Sequence, residues 1–346
     1  MEKVSVNAST NYDILIERGI LDNCGTLIKE CTNAKTAAVI TDDNVDKLYS
    51  KAVMESLSAA GIRNVKYVFQ NGEEHKSLET VSSILSFLAE NELTRSDIIV
   101  ALGGGIVGDV SGFCASAYLR GIKFVQIPTT LLAAVDSSVG GKTGVNLPQG
   151  KNLAGAFHQP ALVICDPDCF KTLSPEIFAD GISESIKYGI IADQKLFELF
   201  ENGDVEKNIE QIVRQCVIIK SDIVSRDEFD TGERQKLNLG HTVGHAIEKC
   251  SNYKISHGHA VAAGMVIACK GSQKLGICAD ISERVEAVLT KYSLPTSTEF
   301  SVSSLVSAML RDKKRNAENI NLVLPTKIGE CILYKADVSQ LESIFG

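Results

Sequence analysis

The sequence predicts an α/β N-terminal domain with a mostly parallel, Rossmann-like sheet, followed by a mainly α-helical C-terminal domain. Two observations predict this fold class. Up to about residue 166, short continuous apolar segments alternate with helical ones, as expected for strands that are buried on both faces of a parallel sheet. After Asp166 and Pro167, nearly every segment up to Tyr292 has helical periodicity. The expected domains are therefore residues 1–166 and 167–346.

The individual elements follow from the same periodicities. The predicted strands of the first domain are 12–16, 36–41, 65–69, 97–102, 124–127 and 162–165. The predicted helices of the second domain are 177–191, 195–201 and 206–225, followed by the histidine-bearing segment 237–248. Near the end of the chain, the apolar segments 320–324 and 331–334 are separated by Pro325 and Gly329, which predicts one small hairpin.

Composition restricts the class of protein. The chain has 346 residues, 44% of them hydrophobic and 23% charged, which is typical of soluble globular proteins. A net charge of -8 argues against nucleic-acid and membrane-surface partners. The ten cysteines contain no C-x-x-C pair, and the chain begins without an apolar signal region. We therefore expect a cytoplasmic protein.

A glycine-rich turn, Gly103 to Asp109, follows a predicted strand and opens a predicted helix. It matches G-x-G-x-x-G, a pattern that lets backbone N–H groups approach a pyrophosphate. It follows a late strand, however, and no acidic residue occurs between Asp109 and Asp136 to bind a ribose. Polar loops after two other strands, 42–44 and 71–76, provide further groups at the same sheet edge. Together the three loops predict a nucleotide-binding crevice. The alternative for 42–44 is a tight turn in which Asp43 caps a helix.

Four of the six histidines lie within residues 237–259. His241 and His245 are four residues apart, so on a helix they project from one face and can reach a shared metal or substrate. His257 begins a second apolar helical segment that can fold back on the first. The alternative is a pair of helix caps and a buried structural histidine.

Charged residues form a second group of candidates. The long polar, glycine-rich segment 136–152 is predicted to be a loop, and loops of this length are usually functional. It contains Lys142 and Lys151, which with Arg120 could bind a phosphate or carboxylate, although each could also be a solvated surface residue. Glu184 and Lys187 lie three residues apart on one helix face. They are either a surface ion pair or part of a catalytic site, since a carboxylate and two histidines make a zinc site with an open position. Further pocket candidates are Lys220, Arg234 and Asn238.

Together, and in this order, these motifs resemble the 3-dehydroquinate synthase family of sugar-phosphate cyclases. The likeness covers nearly the whole chain. Its motifs are 103–120 with Tyr118, 129–132 with Asp136 through Lys142, Lys151 with Asn152, Glu184 with Lys187, G-H-x-x-G-H at 240–245, and 312–314. The resemblance implies that Glu184, His241 and His257 hold one divalent metal, zinc or cobalt, and that His245 lies beside it.

The resemblance also implies NAD as cofactor and an acidic sugar phosphate as substrate. The implied cofactor-binding residues are Asp42, Asn44, Asn71, Gly72, Glu73, Glu74, His75, Lys76, Gly105, Ile106, Val107, Gly108, Asp109, Thr129, Thr130, Lys142, Lys151, Cys169, Phe170, Lys171 and Thr172. The implied catalytic residues are His245, Lys187, Lys142, Asp136, Lys220 and Asn238. The implied substrate-binding residues are Arg120, Asn152, Lys151, Arg234, Lys313 and Lys314, with one of the last two facing the pocket.

The implied reaction converts 3-deoxy-arabino-heptulosonate 7-phosphate to 3-dehydroquinate and phosphate in the shikimate route to aromatic amino acids. It proceeds by transient NAD reduction, phosphate elimination, ring opening and aldol closure, in a homodimeric enzyme. Three positions depart from the family pattern: His259 stands where Glu is frequent, Asn71 replaces a common Asp, and Ser183 replaces a small apolar residue. His259 could compete for the metal or cap a helix.

Three other functions stay open at this level. The chain could be another cyclase with altered substrate contacts, a metal-dependent polyol dehydrogenase, or a non-catalytic NAD- or sugar-phosphate-binding regulator. The joint presence of Glu184, Lys187, His241, His245 and His257 disfavours the regulator, because a binding module has no use for a metal.

Overall fold

The computed structural model describes residues 1–278, 281–312 and 318–346. Two compact units divide the chain: the first comprises Met1–Leu173 and Lys220–Phe229, and the second comprises Ser174–Ile219 and Asp230–Gly346. The predicted pocket residues Lys313 and Lys314 lie outside the described residues.

The first unit contains nine strands and five helices. The strands are β1 (Glu2–Val6), β2 (Tyr12–Ile16), β3 (Thr36–Asp42), β4 (Arg63–Phe69), β5 (Ile98–Gly103), β6 (Lys123–Pro128), β7 (Lys142–Leu147), β8 (Gly150–Phe157) and β9 (Leu162–Cys165). The helices are α1 (Cys24–Thr32), α2 (Asp43–Val45), α3 (Lys51–Ala59), α4 (Leu78–Glu90) and α5 (Gly105–Ala117).

Seven of these strands form one sheet in the order β1-β2-β9-β6-β5-β3-β4. Every neighbouring pair is parallel except β1 with β2. Strands β5 and β9 are buried along their whole length, which explains their continuous apolar sequences. The predicted fold class and the six predicted strands are confirmed.

One prediction for the first unit was wrong. The polar segment 136–152 was expected to be a long loop, but much of it belongs to the antiparallel hairpin of β7 and β8. The hairpin lacks a continuous apolar pattern because no residue of β8 is buried and half of them are exposed, including Leu153 and Phe157. A strand that is not buried on both faces lacks the continuous apolar run by which the strands of the large sheet were predicted.

The second unit is mainly helical, as predicted. Its helices are α6 (Pro175–Ala192), α7 (Gln194–Asn202), the first part of α8 (Val205–Arg226), α9 (His241–Cys250), α10 (His257–Lys274), α11 (Ser282–Lys291), α12 (Val302–Asp312) and α13 (Leu341–Phe345). The predicted hairpin is formed by β10 (Asn319–Lys327) and β11 (Glu330–Asp337). Among the described residues, no helix combines the length and apolar character needed to cross a membrane.

Close helix packing positions the histidines. Helix α10 packs against both α6 and α9. At Gly264 of α10 an added Cβ would lie 2.1 Å from the carbonyl oxygen of Gly240, and at Gly258 it would lie 2.4 Å from Cα of Asp180 in α6. Larger residues at these glycines would separate the helices. The first contact therefore holds the start of α9 against α10, and the second holds the start of α10 against α6.

Candidate functional site

Three side chains of the second unit converge on one point. Glu184 lies in the buried middle of α6, whereas His241 and His257 are the first residues of α9 and α10. Glu184 Oε1 lies 3.5 Å from His241 Nε2 and 3.4 Å from His257 Nε2. The ligand atoms of the three residues all lie within 4.8 Å of one another. One carboxylate and two imidazoles are a donor set that suits zinc or cobalt.

The second nitrogen of each imidazole also faces an acceptor. His241 Nδ1 lies 3.1 Å from the carbonyl oxygen of Leu239, and His257 Nδ1 lies 3.4 Å from Glu248 Oε2. A hydrogen bond donated from Nδ1 leaves Nε2 as the nitrogen that can bind a metal. Both rings therefore present Nε2 to Glu184, and the residues fit a divalent cation.

The Glu184–Lys187 pair is buried. Lys187 Nζ contacts Glu184 Oε2, and each side chain is only 1% exposed. The alternative of a surface ion pair is therefore wrong. Because Lys187 contacts the other carboxylate oxygen, it holds Glu184 with Oε1 towards the two histidines.

Electrostatics separate the two proposed histidine ligands. Burial lowers the pKa of His241 to about 3, against the opposing attraction of Glu184, so this imidazole is neutral. Burial also disfavours the charged form of His257, but hydrogen bonds to Glu184 and Glu248 outweigh it and raise its pKa to about 10. The two carboxylates therefore make the surroundings of His257 favourable for positive charge.

His245 does not join the first donor set. It is exposed and one turn beyond His241, with 5.6 Å between the two ring centroids. It belongs instead to a second group, with Glu248 and His257, whose ligand atoms are also within 4.8 Å of one another. Sequence reasoning missed Glu248 as a site residue. Its position seven residues after His241, on the same helix face, is the signal that could have found it.

His259 contacts the start of its own helix and α6. Its Nδ1 lies 2.8 Å from Asp180 Oδ1 and from Ser256 Oγ, and its backbone N–H donates to the same Asp180 oxygen at 3.0 Å. These contacts favour a structural role for His259 at the start of α10 over competition for the metal. The group that accepts a backbone N–H there is Asp180, so the His259 ring supports Asp180 and does not itself cap the helix.

A cavity of about 490 Å³ opens beside the histidines within the second unit. Of the predicted residues, Asn238, His241 and His245 line it. Sequence reasoning missed the other polar lining residues. Thr242 is an x position of the G-H-x-x-G-H motif, and the rest belong to no motif: Asp230, Gln235, Asn319, Asn321 and Lys335. The predicted substrate residue Arg234 is buried, with 2% of its surface exposed, and does not line the cavity.

In the first unit, the loops after β3 and β4 are joined by hydrogen bonds. Asp42 caps α2 by accepting from the backbone N–H groups of Asn44 and Val45, both at 2.9 Å. Asp43, which was the expected cap, instead accepts from the backbone and side-chain nitrogens of Asn71 at 2.8 Å. The capping alternative therefore applies to Asp42 and not to Asp43.

Lys76 is the centre of a buried polar network. Its Nζ lies 2.6 Å from Asp109 Oδ2 and 2.6 Å from Asn152 Oδ1, and little of the side chain is exposed. Burial raises the pKa of the Asp109 carboxyl, although Lys76 opposes this shift. Beside this network, Glu73 Oε1 lies 3.8 Å from Lys151 Nζ. The structure thus brings together five predicted residues from three segments of the first unit.

The glycine-rich turn is formed as predicted. Strand β5 ends at Gly103 and α5 begins at Gly105, so Ile106, Val107 and Gly108 lie in its first turn. Gly104 is the N-cap residue of α5, and a Cβ added at this position would lie 3.1 Å from Thr130 Cγ2. Thr129 donates its backbone N–H to Gly103. The turn therefore has a packing reason for its glycine besides access for a ligand.

The remaining predicted residues of the first unit lie at separate places. Lys220 Nζ lies 3.0 Å from Asp136 Oδ1 and donates to the Asp136 carbonyl oxygen at 2.7 Å. Lys142 is exposed at the start of β7, and Arg120 has a positive φ of 67°. The segment Pro167–Thr172 is a short 3₁₀ helix that contains the predicted cofactor residues Cys169, Phe170, Lys171 and Thr172. The loop residues Gly72, Glu74 and His75 lie in or beside a second one, Glu73–His75.

Comparison with known proteins gives one consistent result. The family description "3-dehydroquinate synthase N-terminal" matches residues 66–180, and "3-dehydroquinate synthase C-terminal" matches residues 181–315. The 3-dehydroquinate synthase of Streptococcus suis is 42% identical over 348 residues, which cover 98% of each chain. That of Clostridium acetobutylicum is 43% identical over 338 residues, which cover 94% of each.

A solved structure shows the same fold. It is 2-deoxy-scyllo-inosose synthase in complex with carbaglucose-6-phosphate, NAD+ and Co2+, which is 25% identical to this chain, with a TM-score of 0.89 and 99% of each chain covered. The match to this cyclase extends over both units, and the relatives at 42–43% identity cover nearly the full sequence. The chain therefore belongs to the 3-dehydroquinate synthase family.

Proposed function

We propose that the chain catalyses the 3-dehydroquinate synthase reaction, a phosphate-eliminating cyclisation of 3-deoxy-arabino-heptulosonate 7-phosphate in the shikimate route. The observation that carries the proposal is the convergence of Glu184, His241 and His257 in a chain of this family. A divalent metal held there would supply Lewis acidity to a substrate hydroxyl, and NAD held by the first unit would supply a temporary hydride acceptor.

The second unit would hold the metal and part of the substrate. Lys187 fixes Glu184 through Oε2, and the neutral His241 offers Nε2. His245 is exposed beside them and lines the cavity, which would place an imidazole where a proton must move at the substrate. We propose catalytic roles for Lys187, His245 and Asn238, and substrate binding by Arg234 and by one of Lys313 and Lys314.

The first unit would bind NAD through the loops after β3, β4 and β5, where open parallel sheets bind ligands. Lys76 would fix the loop 71–76 against Asp109 and Asn152. We propose catalytic roles for Asp136, Lys142 and Lys220, and substrate binding by Arg120, Lys151 and Asn152. The chain has a net charge of -8, so it needs cationic side chains close to the substrate to neutralise the substrate carboxylate and phosphate. The lysines and the arginine named here would provide them.

One assay tests the proposal against its alternatives. Metal-loaded protein is incubated with the heptulosonate phosphate and trace NAD while phosphate and NADH absorbance are followed. Phosphate in large excess over NAD, without lasting NADH, is expected. Accumulating NADH would indicate a polyol dehydrogenase, and neither signal would indicate a binding protein. A cyclase with altered contacts would require another sugar phosphate for the same phosphate release.

Location and assembly are also proposals. All ten cysteines lie in the described residues and none of them forms a disulfide, which is usual in the reducing cytoplasm. We therefore propose a cytoplasmic enzyme. The homodimer implied by the family resemblance stays a prediction, and sedimentation equilibrium would check it.

A further inference from the structure

His257 is the proposed ligand with the least enclosed side chain. It is 34% exposed, against 13% for His241 and 1% for Glu184. An imidazole with this freedom needs a second contact to keep one chosen nitrogen on a metal. The start of α10 is held by Asp180, which accepts from Ser256 Oγ and from the backbone of His259, but these bonds fix the backbone and not the His257 ring.

Glu248 provides the contact to the ring. Its Oε2 lies 3.4 Å from His257 Nδ1, while Nε2 on the other side of the ring lies 3.4 Å from Glu184 Oε1. Only 3% of Glu248 is exposed, so the carboxylate is held in place by its surroundings. It lies on α9, the helix that also carries His241. Helix α9 therefore carries both the proposed ligand His241 and the residue that contacts the proposed ligand His257.

We propose that Glu248 is a positioning residue of the metal site: it accepts the Nδ1–H of His257 and so directs Nε2 at the ion. This inference rests on the proposed function. Glu248 does not touch the substrate or the ion, and it acts only through His257. The contact is a carboxylate–histidine–metal arrangement, in which the carboxylate fixes the tautomer and increases the basicity of the ligand.

The competing role for Glu248 is ligation of a second ion with His245 and His257. That ion would have to bind His257 Nδ1 while His257 Nε2 binds the first ion, together with Glu184 and His241. The imidazole would then lose both ring protons, whereas metal-binding histidines ordinarily act as neutral, singly protonated groups. A single ion with Glu248 behind His257 uses each ring nitrogen once.

The test measures Co2+ affinity by chelator competition on the full chain, together with the visible spectrum and metal content. Glu248→Gln keeps the size and one acceptor oxygen, and we expect it to weaken Co2+ binding about tenfold. Glu248→Ala should weaken it up to about a hundredfold, in the range found for such supporting groups. Both variants should shift the cobalt absorption bands, which a general loss of stability would not do. Glu198→Gln, which changes a partly exposed carboxylate of α7 that accepts from Gln194, is the matched control and should leave all three readouts unchanged.

The outcomes separate the inference from the function on which it rests. Wild-type affinity and spectrum in both Glu248 variants would overturn the positioning role, as would two ions per wild-type chain with one lost in Glu248→Ala. Because Glu248→Ala could fail to fold, circular dichroism accompanies each variant, and the isosteric Glu248→Gln decides alone if necessary. A wild-type chain that binds no Co2+ would instead contradict the proposed metal site itself.

Discussion

The two polar clusters of the chain are built in opposite ways. In the second unit, Glu184, His241 and His257 direct ligand atoms at one point. In the first unit, Lys76 lies between Asp109 and Asn152, so opposite charges and dipoles satisfy one another. A converging donor set identifies a cation site by its geometry. A paired network has the same geometry whether or not a ligand binds beside it. The assignment of the NAD site therefore rests mainly on the family resemblance and much less on geometry.

The largest expected effect is in the converging cluster. Glu184→Gln removes the only carboxylate of the first donor set, and we expect metal affinity and the rate of phosphate release to fall more than about 100-fold, beyond the range of supporting residues. Metal analysis after dialysis and the phosphate assay measure the two effects. Glu198→Gln again serves as control. Full metal content in Glu184→Gln would show that the carboxylate is not needed for metal binding, and would contradict the view that this cluster, unlike the Lys76 network, is a cation site.

A second prediction compares two lysines that each pair with an acidic residue three positions earlier. Lys187→Met removes the lysine cation from the buried Glu184 carboxylate in metal-free protein, which should lower the free energy of unfolding by about 3–5 kcal/mol. Lys207→Met breaks the exposed Lys207–Asp204 pair and should have little effect. Urea unfolding of both variants gives the answer. Equal losses would mean that burial does not distinguish the two pairs.

A third prediction tests whether the paired network supports a ligand. Lys76→Met removes the cation that contacts Asp109 and Asn152, and we expect NAD affinity to fall about tenfold or more, since charge-assisted hydrogen bonds contribute about 1.5–3 kcal/mol. Calorimetric titration with NAD measures it. Lys3→Met, which breaks the exposed pair between Lys3 of β1 and Asp13 of β2, is the control. If stability fell but NAD affinity did not, the network would be structural only.

The smallest expected effect concerns His259. Because its ring contacts Asp180 and Ser256 and not the first donor set, His259→Ala should retain the metal and cost about 1 kcal/mol of stability, the net contribution of a typical hydrogen bond. His257→Ala should lose the metal. Metal content and thermal unfolding of the pair provide the comparison, and equal metal loss in both variants would contradict the assignment of His257.

Most of the fold was predictable because the strands of a parallel sheet are apolar on both faces. The hairpin of β7 and β8 was not, since its strands contain glycines, lysines and asparagines and therefore resemble a polar loop. For the site, helical spacing placed His241 beside His245 but did not exclude a three-histidine site. Glu184 is 57 residues from His241 in sequence and joins it only through packing of α6, α9 and α10, so the family resemblance was needed to select it. The contact between Glu248 and His257 likewise depends on how two helices meet.

We propose that one ion binds at Glu184, His241 and His257. Anomalous scattering from a crystal of the Co2+-loaded protein would locate this ion. We expect one anomalous peak per chain, bounded by Glu184 Oε1, His241 Nε2 and His257 Nε2. A peak bounded by His245, Glu248 and His257 would contradict the proposed site.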